Sequence, residues 1–525
     1  MNISKALVKI FKKKGEHINH AKALFLAGSA NFELEHFKEA KSELLQCSGL
    51  LNDQFPDDIL EKYNEEKVPK DNFDKEVKIL KGNTLHLLGR CFYQLGQYAR
   101  AERTLQEALE LRKSYGSLAS WIETLVSLSK VEQELNKFDL ALEHANLAIK
   151  FNESKELEKV IYTNRGTCFM NKDEYLKALE DFMNVELSDE DDLNFKAILK
   201  AYKGQCHMFL GQYNSALILY TNVNAICNKI PENLRDPRFV KSLTMTGQAF
   251  TMAGDFIRGL NCLEIAYKSA QEMLDPIIEH PLIAECLLQI GILRMDYGDL
   301  ENARKFFEDA LEMQEKVYSE VKMKHLSMVK TYESLAMLYL NQDMIDKASE
   351  YLEQGLEVIE ALVPEGITHA RLLIIKGEIE AQNEDSKAED IFDEALEMIQ
   401  NVQGKESRHP GISRIHANLA KIYLDKNDTK KAAEHIDQSL ALFKKTFGSI
   451  KHQDHATAYE IQALIYINLS EFNLANESFK KALKILRQVF NDDIDDNKMT
   501  QRIIRLQDEL ESRQHLSNGS SKIVF

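Results

Sequence analysis

The chain has 525 residues, of which 44% are hydrophobic and 28% are charged, and its net charge is −17. This acidic balance argues against a general nucleic-acid-binding role, because phosphate binding needs clustered lysines and arginines. We expect a soluble cytoplasmic protein with reduced thiols, because we find no apolar run near the roughly 18 residues of a membrane-spanning helix, no secretory signal and no Cys-x-x-Cys pair among the 7 cysteines.

Residues 1–22 form the only basic stretch of the chain. Ile3, Ala6, Leu7 and Ile10 fall on one face of a helix, and the lysines lie elsewhere. We expect this amphipathic helix to cap the apolar end of the helices that follow it. The alternative is that it lies on an anionic membrane or on a microtubule surface.

The segment 23–490 repeats one pattern, in which small residues stand 12 and 19 positions after a small anchor residue. In one copy these residues are Gly291, Ala303 and Ala310. Two antiparallel helices approach closely where one presents a small side chain to the other, so each copy predicts a helical hairpin. The anchors of repeats 1 to 11 are Gly28, Gly89, Ser129, Gly166, Gly204, Gly247, Gly291, Ala336, Gly377, Ala420 and Ala463.

Large residues occupy fixed positions around these anchors. A leucine or an aromatic residue stands sixteen positions after the anchor in several copies, on the expected second helix. Stretches such as LGQY and AGDF between the two helices predict turns. All 8 prolines fall outside the hairpins, as helix interiors require. The residues at the sixteenth position include Leu105, Phe182, Tyr220, Phe307, Leu352 and Phe479.

An insertion at 50–76 separates the first two anchors by 61 residues, the longest interval of the series. The insertion is acidic and contains two prolines. We expect the end of a helix followed by an exposed surface loop. The alternative is that this loop determines which partner the protein binds.

From Gly247 onward the period settles near 43 residues, which divides the repeats into segments 23–246 and 247–490. In four of the later copies a histidine stands eleven residues before the anchor, and two of these histidines precede a proline. Because proline suits the first turn of a helix, we expect these histidines to mark helix starts rather than to bind a metal. They are His280, His325, His409 and His452.

The C-terminal region predicts a second cap and a tail. In the segment 491–513, Met499, Ile503, Leu506 and Leu510 follow helical spacing, which favours a capping helix; a short coiled-coil contact is the alternative. The segment 514–525 is flexible by composition. It ends in Ile523-Val524-Phe525, and a PDZ ligand is an alternative reading of that ending.

The repeated offsets resemble those of the tetratricopeptide repeat (TPR), over residues 20–490. The resemblance implies an all-α fold, a right-handed superhelical α-solenoid of about eleven TPR hairpins with terminal capping helices. It also implies that the first helix of each pair lines a concave groove for a peptide or a partner helix. The longer repeats with their His-Pro loops are similar to those of kinesin light chain and nephrocystin.

One candidate groove site lies in repeat 4. TPR domains that hold chaperone tails use a clamp of asparagine, lysine and arginine on three successive first helices. Asn164 and Arg165, in the stretch YTNR, match the middle helix of that clamp. The flanking repeats do not supply the remaining clamp residues, so the resemblance does not extend to a chaperone-tail receptor.

A second set of candidates follows from the resemblance to the kinesin light chains. The grooves of that family carry a ladder of asparagines, at the position two residues before each anchor. In this chain the position holds Asn164 and Asn418, with Gln289 and Ser334 as polar substitutes. Arg414, Asn418 and Lys421 lie on one side of a first helix at helical spacing, and a grip on an acidic partner is one interpretation of this set. The alternative is an ordinary solvated face.

The sequence contains no phosphate-binding loop, no HExxH motif and no nucleophile elbow. We therefore expect no enzymatic activity, no cofactor and no metal site. The leading hypothesis is a scaffold or adaptor that binds protein partners, in a cytoskeletal, motor-linked or ciliary setting by analogy. The alternative is a regulatory receptor whose solenoid changes shape when it binds a peptide or a small ligand.

Overall fold

The computed structural model describes residues 8, 17–34, 36–52, 70–274, 279–319, 325–383, 387–448, 450, 452–490 and 498–520. Within these ranges the chain forms 23 α-helices, one short 3₁₀ helix at Glu232–Leu234 and no strand, which confirms the all-α prediction. The helices are α1 (His17–Glu33), α2 (Phe37–Asn52), α3 (Lys70–Gln94), α4 (Tyr98–Tyr115), α5 (Leu118–Glu134), α6 (Phe138–Phe151), α7 (Lys155–Asn171), α8 (Tyr175–Met183), α9 (Leu193–Phe209), α10 (Tyr213–Cys227), α11 (Pro237–Met252), α12 (Phe256–Leu274), α13 (Pro281–Tyr297), α14 (Leu300–Val317), α15 (Leu326–Leu340), α16 (Ile345–Leu362), α17 (Ile367–Gln382), α18 (Ala388–Gln403), α19 (Pro410–Asp425), α20 (Thr429–Phe447), α21 (Gln453–Asn468), α22 (Phe472–Phe490) and α23 (Lys498–Ser520).

Several sequence predictions lie wholly or largely outside the described residues. They are residues 1–16, apart from Val8, of the basic segment 1–22, residues 53–69 of the acidic insertion at 50–76, and the terminal Ile523-Val524-Phe525. The last residues of the insertion, from Lys70 onward, belong to the long helix α3.

Helices α1 to α22 pair in chain order, and each pair corresponds to the hairpin of one predicted repeat. Every anchor residue lies in the first helix of its pair. The anchor glycines permit the close approach: a Cβ added to Gly166 would lie 2.5 Å from Cε1 of Phe182, and one added to Gly291 would lie 2.6 Å from Cε1 of Phe307. The second small residue of that copy, Ala303, has no exposed surface. The predicted small-to-large packing is therefore the core of each hairpin.

Each hairpin turn that the structure describes contains a residue with left-handed backbone, seven positions after the anchor. Left-handed backbone favours glycine, asparagine and aspartate, which lack steric conflict or form local hydrogen bonds there. The recurrence of these residue types at one offset is a sequence signal for the turns. The residues are Gly96, Asn136, Asp173, Gly211, Gly254, Gly298, Asp343, Asn427 and Ser470.

Three of the four predicted histidines cap helices. The Nδ1 atom of His280 accepts from the backbone N–H of Leu282 at 3.1 Å, at the start of α13. His409 and His452 make the same bond at the starts of α19 and α21. The prediction that these residues mark helix starts is confirmed, and proline follows where its missing N–H costs nothing.

Contacts between Cα atoms divide the chain into two compact units. Unit 1 comprises residues 1–172, 177–186 and 316–325, and unit 2 comprises residues 173–176, 187–315 and 326–525. The change of repeat period at residue 247 falls inside unit 2.

In unit 1, residues before α15 pack against the turns of earlier repeats. The ring of Tyr318 stacks on His325, with centroids 3.7 Å apart, and on Tyr98, with centroids 6.1 Å apart. The Nε2 atom of His325 donates to the backbone oxygen of Glu134 at 2.7 Å. Burial lowers the pKa of His325 to about 4, so its ring is neutral. This histidine joins distant repeats.

In unit 2, the turn of repeat 5 packs against the residues that precede later first helices. The side chain of Gln403 donates to the backbone oxygen of Phe209 at 2.9 Å. The ring of Tyr213 lies on that of Phe447, with centroids 4.5 Å apart. These contacts join residues that are 194 and 234 positions apart in sequence, so repeats of unit 2 meet beyond their immediate neighbours.

The C-terminal helix α23 covers the last repeat. Ile503 and Leu510 are almost fully buried in a cluster with Phe479 and Leu486, and Met499 and Leu506 pack against it. These four residues of α23 are those that the helical spacing singled out. The helix continues to Ser520, into the segment for which composition predicts a flexible tail.

At the other end, Val8 packs against a cluster of the first repeat that contains Leu24, Cys47 and Leu51. All 7 cysteines are buried and free. Burial raises the pKa of Cys91 and of Cys286 to about 12, so both remain protonated thiols.

Candidate functional site

Asn164, a predicted groove residue of repeat 4, is 2% exposed. Its Nδ2 atom donates to Oγ of Ser129 at 2.8 Å, and its Oδ1 atom accepts from Nε2 of Gln133 at 3.1 Å. Both partners lie on α5, so the amide joins the first helices of repeats 3 and 4. A ligand would reach Asn164 only by replacing these bonds.

Arg165, the next residue, joins second helices. Its Nε and Nη2 atoms donate to the carboxylate of Asp181 on α8, at 2.8 and 2.6 Å. Its Nη1 atom donates to Oδ1 of Asn146 on α6 at 2.9 Å. Hydrogen bonds with Asp181 are the main reason why the pKa of Arg165 is raised. The two neighbouring candidates of repeat 4 therefore serve different helices.

Gln289 and Ser334, the predicted polar substitutes, are 1% and 6% exposed. Gln289 donates to Oε1 of Glu285 at 3.0 Å, and Ser334 donates to the backbone oxygen of Lys330 at 2.8 Å. Both bonds stay within one helix and reach one turn back. These two side chains present little surface to a partner.

Arg414 and Asn418 of α19 meet at one carboxylate. The Nε and Nη2 atoms of Arg414 donate to the two oxygens of Glu378 at 2.6 Å each, and Nδ2 of Asn418 donates to Oε1 of the same residue at 2.7 Å. Glu378 belongs to α17, the first helix of the preceding repeat. Lys421, the third predicted residue of this set, is exposed and shares no carboxylate with them.

Sequence reasoning missed that this contact recurs. Four ion pairs, called here the first-helix ion pairs, connect one first helix to the next or, for the last pair, to α23. They are Glu285–Lys330 at 3.9 Å, Glu333–Arg371 at 2.7 Å, Glu378–Arg414 at 2.6 Å and Glu460–Arg502 at 2.6 Å. A signal was present, because Lys330, Arg371 and Arg414 all stand six residues before their anchors.

In these pairs the arginine is the exposed partner. The side chain of Arg371 is 32% exposed against 7% for Glu333, and that of Arg414 is 30% exposed against 13% for Glu378. A bidentate carboxylate fixes the plane of a guanidinium. The buried glutamates therefore hold the arginines in place, while the surface that remains open carries N–H donors and positive charge.

Electrostatics keep Arg414 charged. Burial lowers its pKa, but Glu378, and then Asp454 and Glu333, raise it by more. Asp296, at the end of α13, is in the opposite situation: burial, and then Asp454, raise its pKa to about 7. Among the described residues no cation pairs with Asp296.

The start of α17 receives its cap from another repeat. The N-cap residue is Gly366, which has no side chain to offer, and the backbone N–H of Thr368 donates to Oδ2 of Asp173 at 2.8 Å. The hydroxyl of Thr368 donates to Oδ1 at 3.2 Å. Asp173 lies in the turn before α8, within unit 2.

Unit 2 also contains an open cavity of about 470 Å³ between the turn of repeat 5 and the loops before α19 and α21. Its lining is mostly polar and includes Gln212, Asn214, Arg408, Lys445 and Thr446. Lys445 is held 3.7 Å from Glu406, which also lines the cavity, so the cations there are partly neutralised.

In the ranges that the structure describes, no group of three His, Cys, Asp or Glu residues is placed to bind a metal ion. None of the described helices is both long enough and apolar enough to cross a membrane.

Models of one repeat family match along the chain. One tetratricopeptide-repeat model matches residues 80–154 and 368–445, and a second matches residues 284–317, 329–361 and 456–487. No curated protein sequence matches the chain.

One solved structure shares the fold at low sequence identity, and two others are similar with lower TM-scores. A Rap protein complexed with Competence and Sporulation Factor is 17% identical, with a TM-score of 0.52, and the match covers 71% of this chain and 99% of that one. The Cut9–Hcn1 hetero-tetramer of APC/C gives 14% identity and a TM-score of 0.38, covering 89% of each chain. BtubC (BKLC) from P. vanneervenii gives 22% identity and a TM-score of 0.34, and the match covers 45% of this chain and 92% of that one. The repeat offsets, the hairpins and the family models together show that the chain is a tetratricopeptide-repeat protein with an α-solenoid fold.

Proposed function

We propose that the protein is a non-enzymatic scaffold or adaptor that binds protein partners on the first helices of unit 2. The observation that carries this proposal is the set of first-helix ion pairs, which hold Arg371 and Arg414 in equivalent positions on successive first helices. Orienting an exposed arginine in advance lowers the entropy that a partner must lose on binding.

The geometry of Arg414 favours an acidic group on the partner. Two of its nitrogens, Nε and Nη2, are used by Glu378, while Nη1 has no acceptor among the described residues. Asn418 on the same helix is half-buried, and Lys421 is exposed one turn further. A carboxylate of a partner would find N–H donors of Arg414 and the charge of Lys421 on one face.

The comparison with the Rap protein supports a binding role. That protein was solved in complex with Competence and Sporulation Factor, so a fold of this kind can hold a partner. TPR folds are also typically scaffolds without catalytic activity, and binding scaffolds are the usual role of such solenoids.

Proximity labelling in cells tests the proposal. The wild type is compared with the double variant Arg371→Gln/Arg414→Gln and with the control Arg304→Gln/Lys268→Gln, which removes two exposed cations from second helices. We expect the first variant to lose most labelled proteins and the control to retain them. The proposal is wrong if the first variant and the wild type label the same proteins to the same extent.

The cellular setting is part of the proposal. The histidines that cap α13, α19 and α21 belong to the loop type that prompted the kinesin-light-chain and nephrocystin analogy, and this supports a cytoskeletal, motor-linked or ciliary partner. Imaging of the tagged protein together with microtubule and cilium markers tests this setting. A diffuse signal in ciliated cells that overlaps with neither marker would contradict it.

A regulatory receptor is the second candidate function. The contacts between distant residues of unit 2, such as Gln403 with Phe209, favour it, because they would have to break or form if the pitch of the repeats changed. A ligand-dependent change in the radius of gyration, measured by small-angle scattering, would support the receptor; an unchanged radius at saturation would reject it.

A further inference from the structure

The cap on α17 is unusual because the capping carboxylate comes from another repeat. The neighbouring later repeats cap their first helices locally, with His280, His409 and His452. Repeat 9 lacks such a side chain, since its helix begins after Gly366. An N-cap satisfies backbone N–H groups that would otherwise have no partner, so α17 depends on Asp173 for this stabilisation.

The surroundings of Asp173 hold it for this role. It is 4% exposed, and its backbone is left-handed with φ of 60°. The hydroxyl of Tyr175 donates to its Oδ1 at 2.7 Å. On the other side, a Cβ added to Gly366 would lie 2.6 Å from Oδ2 of Asp173, so only glycine leaves room for the carboxylate.

Arg371 connects this contact to the proposed binding surface. It stands one turn after Thr368 on α17 and pairs with Glu333 at 2.7 Å. Burial raises the pKa of the Asp173 carboxyl, and the hydrogen bonds of Thr368 and Tyr175 and then the charge of Arg371 oppose that rise. The guanidinium of Arg371 therefore pairs with Glu333 and also acts on Asp173 through its charge.

We propose that the Asp173–Thr368 contact is a switch inside unit 2, and that an acidic partner bound at Arg371 weakens it. This inference rests on the proposed function, because it uses the same exposed arginine. The partner class is an acidic peptide segment, since the open part of Arg371 carries positive charge and N–H donors.

The physical reason is competition for one cation. Asp173 is buried, so its charge depends on the hydrogen bonds of Thr368 and Tyr175 and on the field of Arg371. A carboxylate of the partner at Arg371 would share that field and add a negative charge nearby. The hydrogen bond to the backbone of Thr368 then weakens, and α17 loses its cap. Linkage requires the reverse effect as well: weakening the cap must increase affinity for the acidic partner.

The test uses the full chain and a fluorescein-labelled hexaglutamate peptide as probe. We expect saturating probe to speed hydrogen exchange at the amide of Thr368 several-fold. We expect Asp173→Asn to increase probe affinity about fivefold or more. Asparagine tolerates left-handed backbone and keeps one acceptor oxygen, so this variant removes charge with little strain.

A matched control is Asp428→Asn, which alters a carboxylate that caps its own helix, α20, by accepting from the N–H of Lys431. Its probe affinity should equal that of the wild type. The switch is wrong if Asp173→Asn leaves probe affinity unchanged while Arg371→Gln abolishes binding; that result would leave the scaffold proposal standing. Failure of the wild type to bind hexaglutamate also overturns the switch, whereas the scaffold proposal fails only by the labelling comparison.

Discussion

Repeats 4 and 10 carry asparagine at the same position, two residues before the anchor, yet the two side chains have different surroundings. Asn164 in repeat 4 is 2% exposed and bonds to Ser129 and Gln133. Asn418 in repeat 10 is half-buried and donates to Glu378. The position within the repeat sets the helix face, whereas the preceding repeat decides whether the residue is used in packing or remains partly open.

The residue six positions before the anchor accounts for much of the difference. In repeat 4 it is Val160, and in repeat 10 it is Arg414, which pairs with Glu378. Neutral amides can be buried at little cost when their hydrogen bonds are made. An ion pair keeps part of its surface in water, because removing two charges from water costs more than their attraction returns. Asn164 of repeat 4 is therefore closed to a partner, whereas Arg414 and Asn418 of repeat 10 keep part of their surface open.

The largest expected effect concerns the anchors of the two repeats. Gly166→Ala places a Cβ 2.5 Å from the buried ring of Phe182, and overpacking of this kind costs about 3 kcal/mol. Ala420→Gly in repeat 10 creates no clash and costs about 1–2 kcal/mol through helix propensity and a lost methyl group. Urea denaturation of the two variants measures both losses in the free energy of unfolding. An equal loss in the two variants would contradict the packing described for repeat 4.

The second effect concerns the open repeat. Arg414→Leu leaves Glu378, which is 13% exposed, with Asn418 as its remaining partner, and should cost about 2 kcal/mol. Arg304→Leu, which removes the surface pairs of Arg304 with Glu301 and Glu308 within α14, should cost far less, because solvent screens exposed ion pairs. Thermal denaturation of the two variants checks this. A smaller loss for Arg414→Leu than for Arg304→Leu would rule out a structural role for the ion pair.

The third prediction compares the two asparagines directly. Asn164→Ala removes the buried side-chain bonds to Ser129 and Gln133, leaves Nε2 of Gln133 only the backbone oxygen of residue 164 at 3.3 Å, and should cost about 1–2 kcal/mol. Asn418→Ala removes one of three donors to Glu378 and should cost about 0.5 kcal/mol, while partner binding falls. Stability from urea melts and retention of labelled partners give both readouts. If Asn164→Ala reduced partner binding without loss of stability, repeat 4 would be a binding site.

The smallest effect is a pH dependence. Burial, and then Asp454, raise the pKa of Asp296 to about 7 from an ordinary value of 3.8. Between these two values the folded state holds a proton that the unfolded state has lost, so the free energy of unfolding falls as pH rises through this window. Asp296→Asn removes this penalty and should stabilise the protein by about 1 kcal/mol at pH 8 and by almost nothing at pH 4.

The control is Asp425→Asn, which changes the exposed aspartate at the equivalent position of repeat 10. Its effect on stability should be small, because the side chain is exposed. Thermal melts at pH 4 and pH 8 provide the measurement. A stabilisation by Asp296→Asn that did not depend on pH would show that the carboxyl of Asp296 does not titrate in this window.

The surroundings of the groove candidates follow from the sequence less directly than the fold does. Repeat position placed Asn164, Gln289 and Ser334 on first helices, but their burial depends on neighbours in adjacent helices and turns. Arg414 and Asn418 were assigned to an acidic partner, and their nearest carboxylate proved to be Glu378 of the same chain. Residues 40 positions apart meet there only because successive first helices pack side by side.

The sequence by itself determined the hairpins of this protein, because a small anchor such as Gly291 and a large residue such as Phe307 form a local contact with a fixed offset. It also determined the helix starts at three histidines and the helix face of α23 that covers the last repeat. The tertiary structure alone decided the contacts between distant repeats, such as Asp173 with Thr368. Those contacts depend on small rotations that accumulate from one repeat to the next, and no local spacing in the sequence encodes that sum.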